Sequence, residues 1–205
     1  MDIKCSNDEV VRCSWCTKDN IYIDYHDQEW GMPQKDGLKL FEMVNLEGQQ
    51  AGLSWITILK KRERYRKVFR NFVPHKICLM QEKELKNIMN DSGIVRHRTK
   101  IEAIVNNAKC YLKMESNGEE FSEFIWSYVN NKPIINKWNS ISQVPTSTPQ
   151  SEALSKALKK RGFKFIGPTI CYAFMQACGL VNDHMTNCIS YQNGTLAAYL
   201  RCHGR

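Results

Sequence analysis

The feature that most constrains this chain is the period of its apolar residues, which is helical along most of its length. Nowhere does it alternate over a run long enough to build a sheet. From Gly37 to Leu46, the residues Leu40, Phe41 and Val44 recur at helical spacing behind Asp36, a suitable N-cap. The stretch Glu47-Gly48-Gln49-Gln50-Ala51-Gly52 carries two glycines and reads as an interruption. A second helix is predicted from Ser54 through Trp55, Ile58, Leu59, Tyr65 and Val68. Its other face, with Lys60, Lys61, Arg62, Arg64 and Lys67, reads as strongly cationic. Further helices are expected over Glu82 to Asn90, Lys100 to Met114 and Glu119 to Val129. The segment from Lys132 to Thr148 is rich in Asn, Pro, Ser and Thr and reads as a loop. The fold class is therefore all-α. A single unit is expected over residues 11–190, with residues 1–10 and 191–205 as flexible tails.

Bulk properties narrow the setting. A chain of 205 residues is long enough to bury a proper core in one domain. No apolar run approaches the roughly 18 residues that a membrane helix needs. Met1 to Val10 carries Asp2, Lys4, Asp8 and Glu9 and lacks the apolar centre of a signal peptide. A cytoplasmic location and no membrane partner are expected. There, nine cysteines stay reduced, and burial or metal ligation explains them better than a disulfide framework. Net charge is +8. Such an excess fits a polyanionic partner as well as it fits simple solubility.

Residues Ser151 to Gly179 read helix, short hairpin, helix. Thr148-Pro149 opens the first helix, with proline where its missing N–H costs little. Gly162 is placed to end that helix, and Gly167-Pro168 opens the next. Lys159, Lys160, Arg161 and Lys164 surround the turn. Such a hairpin can aim backbone N–H groups at a DNA phosphate, a contact that carries no sequence information. An ordinary helical hairpin with a basic surface accounts for the pattern equally well.

Two Cys/His pairs stand at opposite ends of the chain. Cys13 and His26 lie near one end; His184 and Cys188, four apart, lie near the other. Two thiolates and two imidazoles make a tetrahedral set suited to zinc, and with four protein ligands the metal would be structural. Cys16, in Cys13-Ser-Trp-Cys16, competes with Cys13 for that role. Each histidine taken singly fits a satisfied structural place.

Several strings together carry a resemblance. They are Glu29-Trp30-Gly31, the run Leu46-Glu47-Gly48-Gln49-Gln50-Ala51-Gly52-Leu53-Ser54-Trp55, Arg96-His97-Arg98 and Pro145-Thr146-Ser147-Thr148. Lys159-Lys160-Arg161-Gly162-Phe163-Lys164-Phe165 and Gly179-Leu180-Val181-Asn182-Asp183-His184 complete the set. Over roughly residues 12–190 the chain resembles the DNA-3-methyladenine glycosylase I family, of the helix-hairpin-helix glycosylase superfamily.

The resemblance implies a helix-hairpin-helix fold whose N- and C-terminal segments, residues 11–30 and 180–190, are tied by one structural zinc on Cys13, His26, His184 and Cys188. It implies hydrolysis of the N-glycosidic bond of 3-methyladenine in alkylated duplex DNA, after base flipping, leaving an abasic site. Glu47 would read the extruded base as the catalytic carboxylate, and Trp55 would be the platform beneath it. Tyr25 and Tyr22 line the pocket in the family, and Trp15 and Trp30 would complete its walls. Leu53 would be the wedge filling the gap left in the duplex. Gly162, Lys164 and Gly167 would hold the DNA backbone. The motif places no lysine as a Schiff-base nucleophile, so strand cleavage is not expected. The partner implied is double-stranded DNA bearing alkylated bases, bound by a monomer. Relative to the family pattern the chain has extra residues before Arg12, including Cys5, and a tail after Cys188 ending in Cys202 and His203. Asp183, the nearest acid after the hairpin, is not given a catalytic part by the resemblance.

Overall fold

A computed structural model describes residues 10–191; the expected flexible tails fall almost wholly outside these residues. The chain forms α1 (Asn20–Gln28), α2 (Gly37–Gln50), α3 (Trp55–Val68), α4 (Pro74–Ile77), α5 (Glu82–Met89), α6 (Arg98–Ser116) and α7 (Phe121–Ser127). After the loop come α8 (Pro149–Lys160) and α9 (Pro168–Ala177). The all-α expectation has one exception. Ile134–Ile135 (β1) and Val181–Asn182 (β2) pair in parallel and dock the loop beside the C-terminal segment. A short 3-10 turn, Ile141–Gln143, also interrupts that loop. No helix among the described residues is long and apolar enough to cross a membrane.

Local chemistry explains the helix starts. Asp36 caps α2 by accepting from the Lys39 N–H at 2.9 Å. Thr148 and Ser151 form a reciprocal capping box at α8, with Pro149 in the first turn. Gly162 follows α8 at φ 92°, the left-handed conformation expected of a helix terminator.

Helix α2 is the centre of the molecule. Leu40, Phe41 and Val44 are fully buried, and the helix packs against α9, α3 and α6. It does not stop at Leu46: the stretch expected to interrupt it is helical through Gln50. Gly48 is tolerated there, despite a helix cost of about 0.5–1 kcal/mol, because of what lies against it. A Cβ at Gly48 would sit 3.2 Å from the Phe165 carbonyl oxygen, so this glycine lets the turn between α8 and α9 rest on α2.

The cationic face expected of α3 is largely neutralised. Lys60 pairs with Asp19, Arg62 with Glu29, Arg64 with Asp91, and Arg66 with both Glu42 and Glu63. All but Arg66–Glu63, which lies within α3, fasten the helix to its neighbours. The exposed Lys164 and the lysines ending α8 are the cations of the hairpin, whereas Arg161 is held by Glu119 at 2.6 Å and lies over the Phe124 ring.

Candidate active site

Three buried residues of α1 serve two neighbouring sites. Tyr22, Tyr25 and His26 are spaced three and four apart, so they project to one side, and all three are buried. The tyrosines line a cavity of about 340 Å³, while His26 turns to the cluster described below. Trp15 packs on Tyr22 with ring centroids 5.1 Å apart and on Trp30 at 4.9 Å. Trp55, the first residue of α3, meets Tyr25 at 5.5 Å. The aromatic residues singled out in the sequence, Trp15, Tyr22, Tyr25, Trp30 and Trp55, therefore all border this one cavity, together with Glu47.

Glu47 projects from the last turn of α2. It is 3% exposed, which sets aside a solvated surface role. Burial pushes its carboxyl up to about 8, from an ordinary 4.5. Among the described residues only two buried side-chain polar atoms lack a hydrogen-bond partner: Glu47 Oε2 and Trp55 Nε1. Both border the cavity. A buried polar atom without a partner costs about 1–3 kcal/mol, so a pair of them in one pocket is best explained by a ligand that satisfies them.

Other residues of the cavity were not assigned from sequence. Gln50 is one turn beyond Glu47 on α2, and Pro145 and Thr146 come from the loop. Thr169, in the first turn of α9, also borders the cavity, so the hairpin and the cavity are contiguous. Asp183 is 1% exposed and saturated. It accepts from Asn136 Nδ2, Trp138 Nε1 and Gln176 Nε2, each at 2.7 Å, and from the Tyr172 hydroxyl at 2.5 Å. It fastens the loop to α9 and so fixes the far wall. Tyr172 and Gln176 are one helical turn apart, the only local sign of a shared partner.

The DNA-facing candidates lie outside the cavity. Leu53 is 42% exposed at the tip of the turn after α2, which removes simple burial as its explanation. Lys164 is exposed in the α8–α9 turn. A Cβ at Gly167 would meet nothing within 4 Å, so the backbone entering α9 faces open space. The turn is held from behind. Asn106 Nδ2 donates to the Gly162 carbonyl at 2.7 Å, and the Lys164 N–H donates to Asn107 Oδ1 at 2.8 Å.

Cys13, His26, His184 and Cys188 come together, all buried, with their ligand atoms within 4.8 Å of one another. Cys13 Sγ is 3.5 Å from His184 Nδ1; Cys188 Sγ is 3.4 Å from His26 Nε2 and 3.6 Å from His184 Nδ1. A tetrahedral zinc with ordinary bond lengths has ligand–ligand edges of about 3.3–3.8 Å, which these three sulfur–nitrogen contacts match, and two thiols with two imidazoles are a donor set that could hold such an ion. The groups that orient the two imidazoles fit too. His26 Nδ1 faces Asp27 Oδ1 at 2.7 Å, and Arg12 holds that carboxylate. His26 Nε2, 3.3 Å from the Cys13 backbone nitrogen, is the ring nitrogen turned to the cluster. His184 Nε2 lies 3.1 Å from the Trp30 carbonyl oxygen, which directs Nδ1 to the two thiols. Cys16 stands apart, its thiol directed at the carbonyls of Thr17 and Tyr22. Trp30 thus serves two neighbours, bordering the cavity with its ring and anchoring His184 with its backbone.

Flat aromatic walls around one unpartnered buried carboxyl suit a flat, cationic ring bearing an amino group. One solved structure of the same shape is in complex with 3-methyladenine. The chain superposes on the crystal structure of 3-methyladenine DNA glycosylase I (TAG) with TM-score 0.86 and 59% identity, covering 87% of this chain and 98% of that one. It matches a second TAG structure, in complex with 3-methyladenine, with TM-score 0.85 and 44% identity, covering 88% and 97%. DNA-3-methyladenine glycosylase 1 of Escherichia coli (strain K12) is 60% identical over 182 residues, 89% of this chain and 97% of that protein. The class is therefore that of the DNA glycosylases, hydrolases acting on N-glycosyl bonds. The methyladenine glycosylase profile matches residues 15–191, and the chain belongs to that family.

Proposed function

We propose that this protein removes 3-methyladenine from alkylated duplex DNA by base flipping and hydrolysis, leaving an abasic site. The observation that carries this reading is the pairing of an unpartnered Glu47 with an unpartnered Trp55 in an aromatic cavity. Methylation at N3 places positive charge on adenine and weakens its glycosidic bond, so the base departs as a neutral molecule and selection can rest on binding. Stacking on Trp55 would contribute about 1–3 kcal/mol by analogy with single-strand platforms. The cation–π attraction adds roughly 0.5–2 kcal/mol, depending on desolvation. A cationic base draws Glu47 into its ionised form, and the carboxylate accepts from the base's amino group. Tyr22, Tyr25, Trp15 and Trp30 complete the enclosure.

The flipped nucleotide costs a few kcal/mol of stacking and pairing, which Leu53 offsets by filling the gap in the duplex. Gly162, Lys164 and Gly167 hold the phosphate backbone as a helix-hairpin-helix element, without reading sequence. No lysine borders the cavity among the described residues, which supports hydrolysis without strand cleavage. Cys13, His26, His184 and Cys188 would hold one structural zinc. With all four positions filled by protein, it ties residues 11–30 to 180–190 in a single unit and takes no part in bond breaking.

The test is incubation of the protein with randomly methylated duplex DNA and chromatographic identification of the released bases. Free 3-methyladenine with little 7-methylguanine is expected. A folded, DNA-binding protein that releases no base would overturn the reading.

A further inference from the structure

Lys100 is a buried cation in an unexpected place. It is 5% exposed and lies in the first turn of α6, where the dipole of its own helix disfavours positive charge. Among the described residues no carboxylate partners it. Its Nζ instead donates to the carbonyls of Gln49 at 2.9 Å and Ala51 at 2.6 Å, at the C-terminal end of α2. Gln49 returns the contact, its Nε2 donating to the Lys100 carbonyl at 3.0 Å. The Tyr65 hydroxyl donates to Gln49 Oε1 at 3.3 Å and accepts the Val95 N–H at 3.1 Å.

What this clamp holds is a single peptide plane. Gln50 to Leu53 form a β-turn closed by the Leu53 N–H on the Gln50 carbonyl at 2.6 Å. Ala51 at φ −43°, ψ 116° and Gly52 at φ 79° make it type II. The type I alternative differs by a rotation of roughly 150° about the Ala51–Gly52 peptide, which turns the Ala51 carbonyl away. That carbonyl is the shorter of the two Lys100 contacts. Gly52 supplies the other half of the selection, because positive φ is strained for any residue with a Cβ.

We infer that Lys100 is a positioning residue for base extrusion: by holding the Ala51 carbonyl it locks the type II turn that presents Leu53 to the duplex. The inference rests on the wedge reading of Leu53. Lys100 touches neither base nor DNA in this scheme and acts only through the turn, so its effect belongs to substrates whose base must leave a duplex.

The test compares excision of 3-methyladenine from duplex DNA and from the same strand unpaired, for wild type, Lys100→Met, Leu53→Ala and Gly52→Ala. Free 3-methyladenine binding, read by tryptophan fluorescence, reports the pocket. Gly52→Ala attacks the same peptide from its other side, and its new Cβ would meet nothing within 4 Å. It therefore stands in if Lys100→Met fails to fold. All three variants should lose about 10- to 100-fold in kcat/KM on duplex and less than about threefold on single strands, with free-base binding kept. Loss by Lys100→Met, or by Gly52→Ala in its place, that is equal on both substrates or absent on duplex overturns the role of Lys100. Absence of a duplex-selective loss in Leu53→Ala overturns the wedge reading itself, and the inference with it.

Discussion

Two carboxyl groups border the same cavity, almost equally buried and oppositely treated. Asp183, 1% exposed, accepts hydrogen bonds from Asn136, Trp138, Tyr172 and Gln176. Glu47, 3% exposed, leaves Oε2 without a partner, and burial alone moves its pKa to about 8. The first is a scaffold group whose charge the fold has already met. The second is held ready for a charge that the fold does not supply. Burial of an acid therefore does not by itself mark a reactive site; the state of its partners does.

That difference can be broken in three ways, taken in order of expected size. Asp183 precedes His184, so its wall hangs from the Cys/His cluster, whereas Glu47 hangs from α2. If the cluster holds the proposed zinc, a strong chelator should abolish cooperative unfolding or lower Tm steeply, because structural zinc in small sites contributes about 10 kcal/mol or more. A chelator that leaves Tm unchanged would separate the cluster from the fold. Next, Asp183→Asn puts a donor among donors and should cost about 2–4 kcal/mol of stability, read by denaturant unfolding. Excision per folded molecule should fall much less than in Glu47→Gln. The third acts on activity rather than on stability, through pH. Glu47 is protonated below about 8 in the free protein. The value of kcat/KM should therefore rise with pH up to about 8 and level off, with a flattened profile in Glu47→Gln.

Much of this was legible in the sequence where the signal is local. Thr148-Pro149, Gly162 and Gly167-Pro168 announce α8, its end and α9 because caps, fixed φ and left-handed turns are properties of single residues. The motif residues around Glu47 and Trp55 gather in one cavity with the aromatic residues of the N-terminal segment. What was not legible depends on distant partners. Gly48 reads as a helix break until Phe165 is seen resting on it. The basic face of α3 reads as strongly cationic until Asp19, Glu29, Glu42 and Asp91 are found against it. Ile134–Ile135 is too short to show any strand period before Val181–Asn182 pairs with it. Lys100 carries no sequence sign of burial, since its partners are backbone carbonyls on another helix.

The most direct test of the central claim is one preparation of Glu47→Gln measured for both 3-methyladenine excision and Tm at pH 5 and pH 8. In the wild type, the folded Glu47 keeps its proton up to about 8, whereas the unfolded carboxyl releases it near 4.5. The folded state therefore loses relative stability as pH rises between those values. The account predicts excision lower by about 100-fold or more at pH 8 and by much less at pH 5, together with a Tm above wild type at pH 8 by several degrees, about 2–4 kcal/mol, and little gain at pH 5. A variant that loses stability at both pH values, or one that excises as well as wild type, would show that Glu47 serves the fold rather than the base.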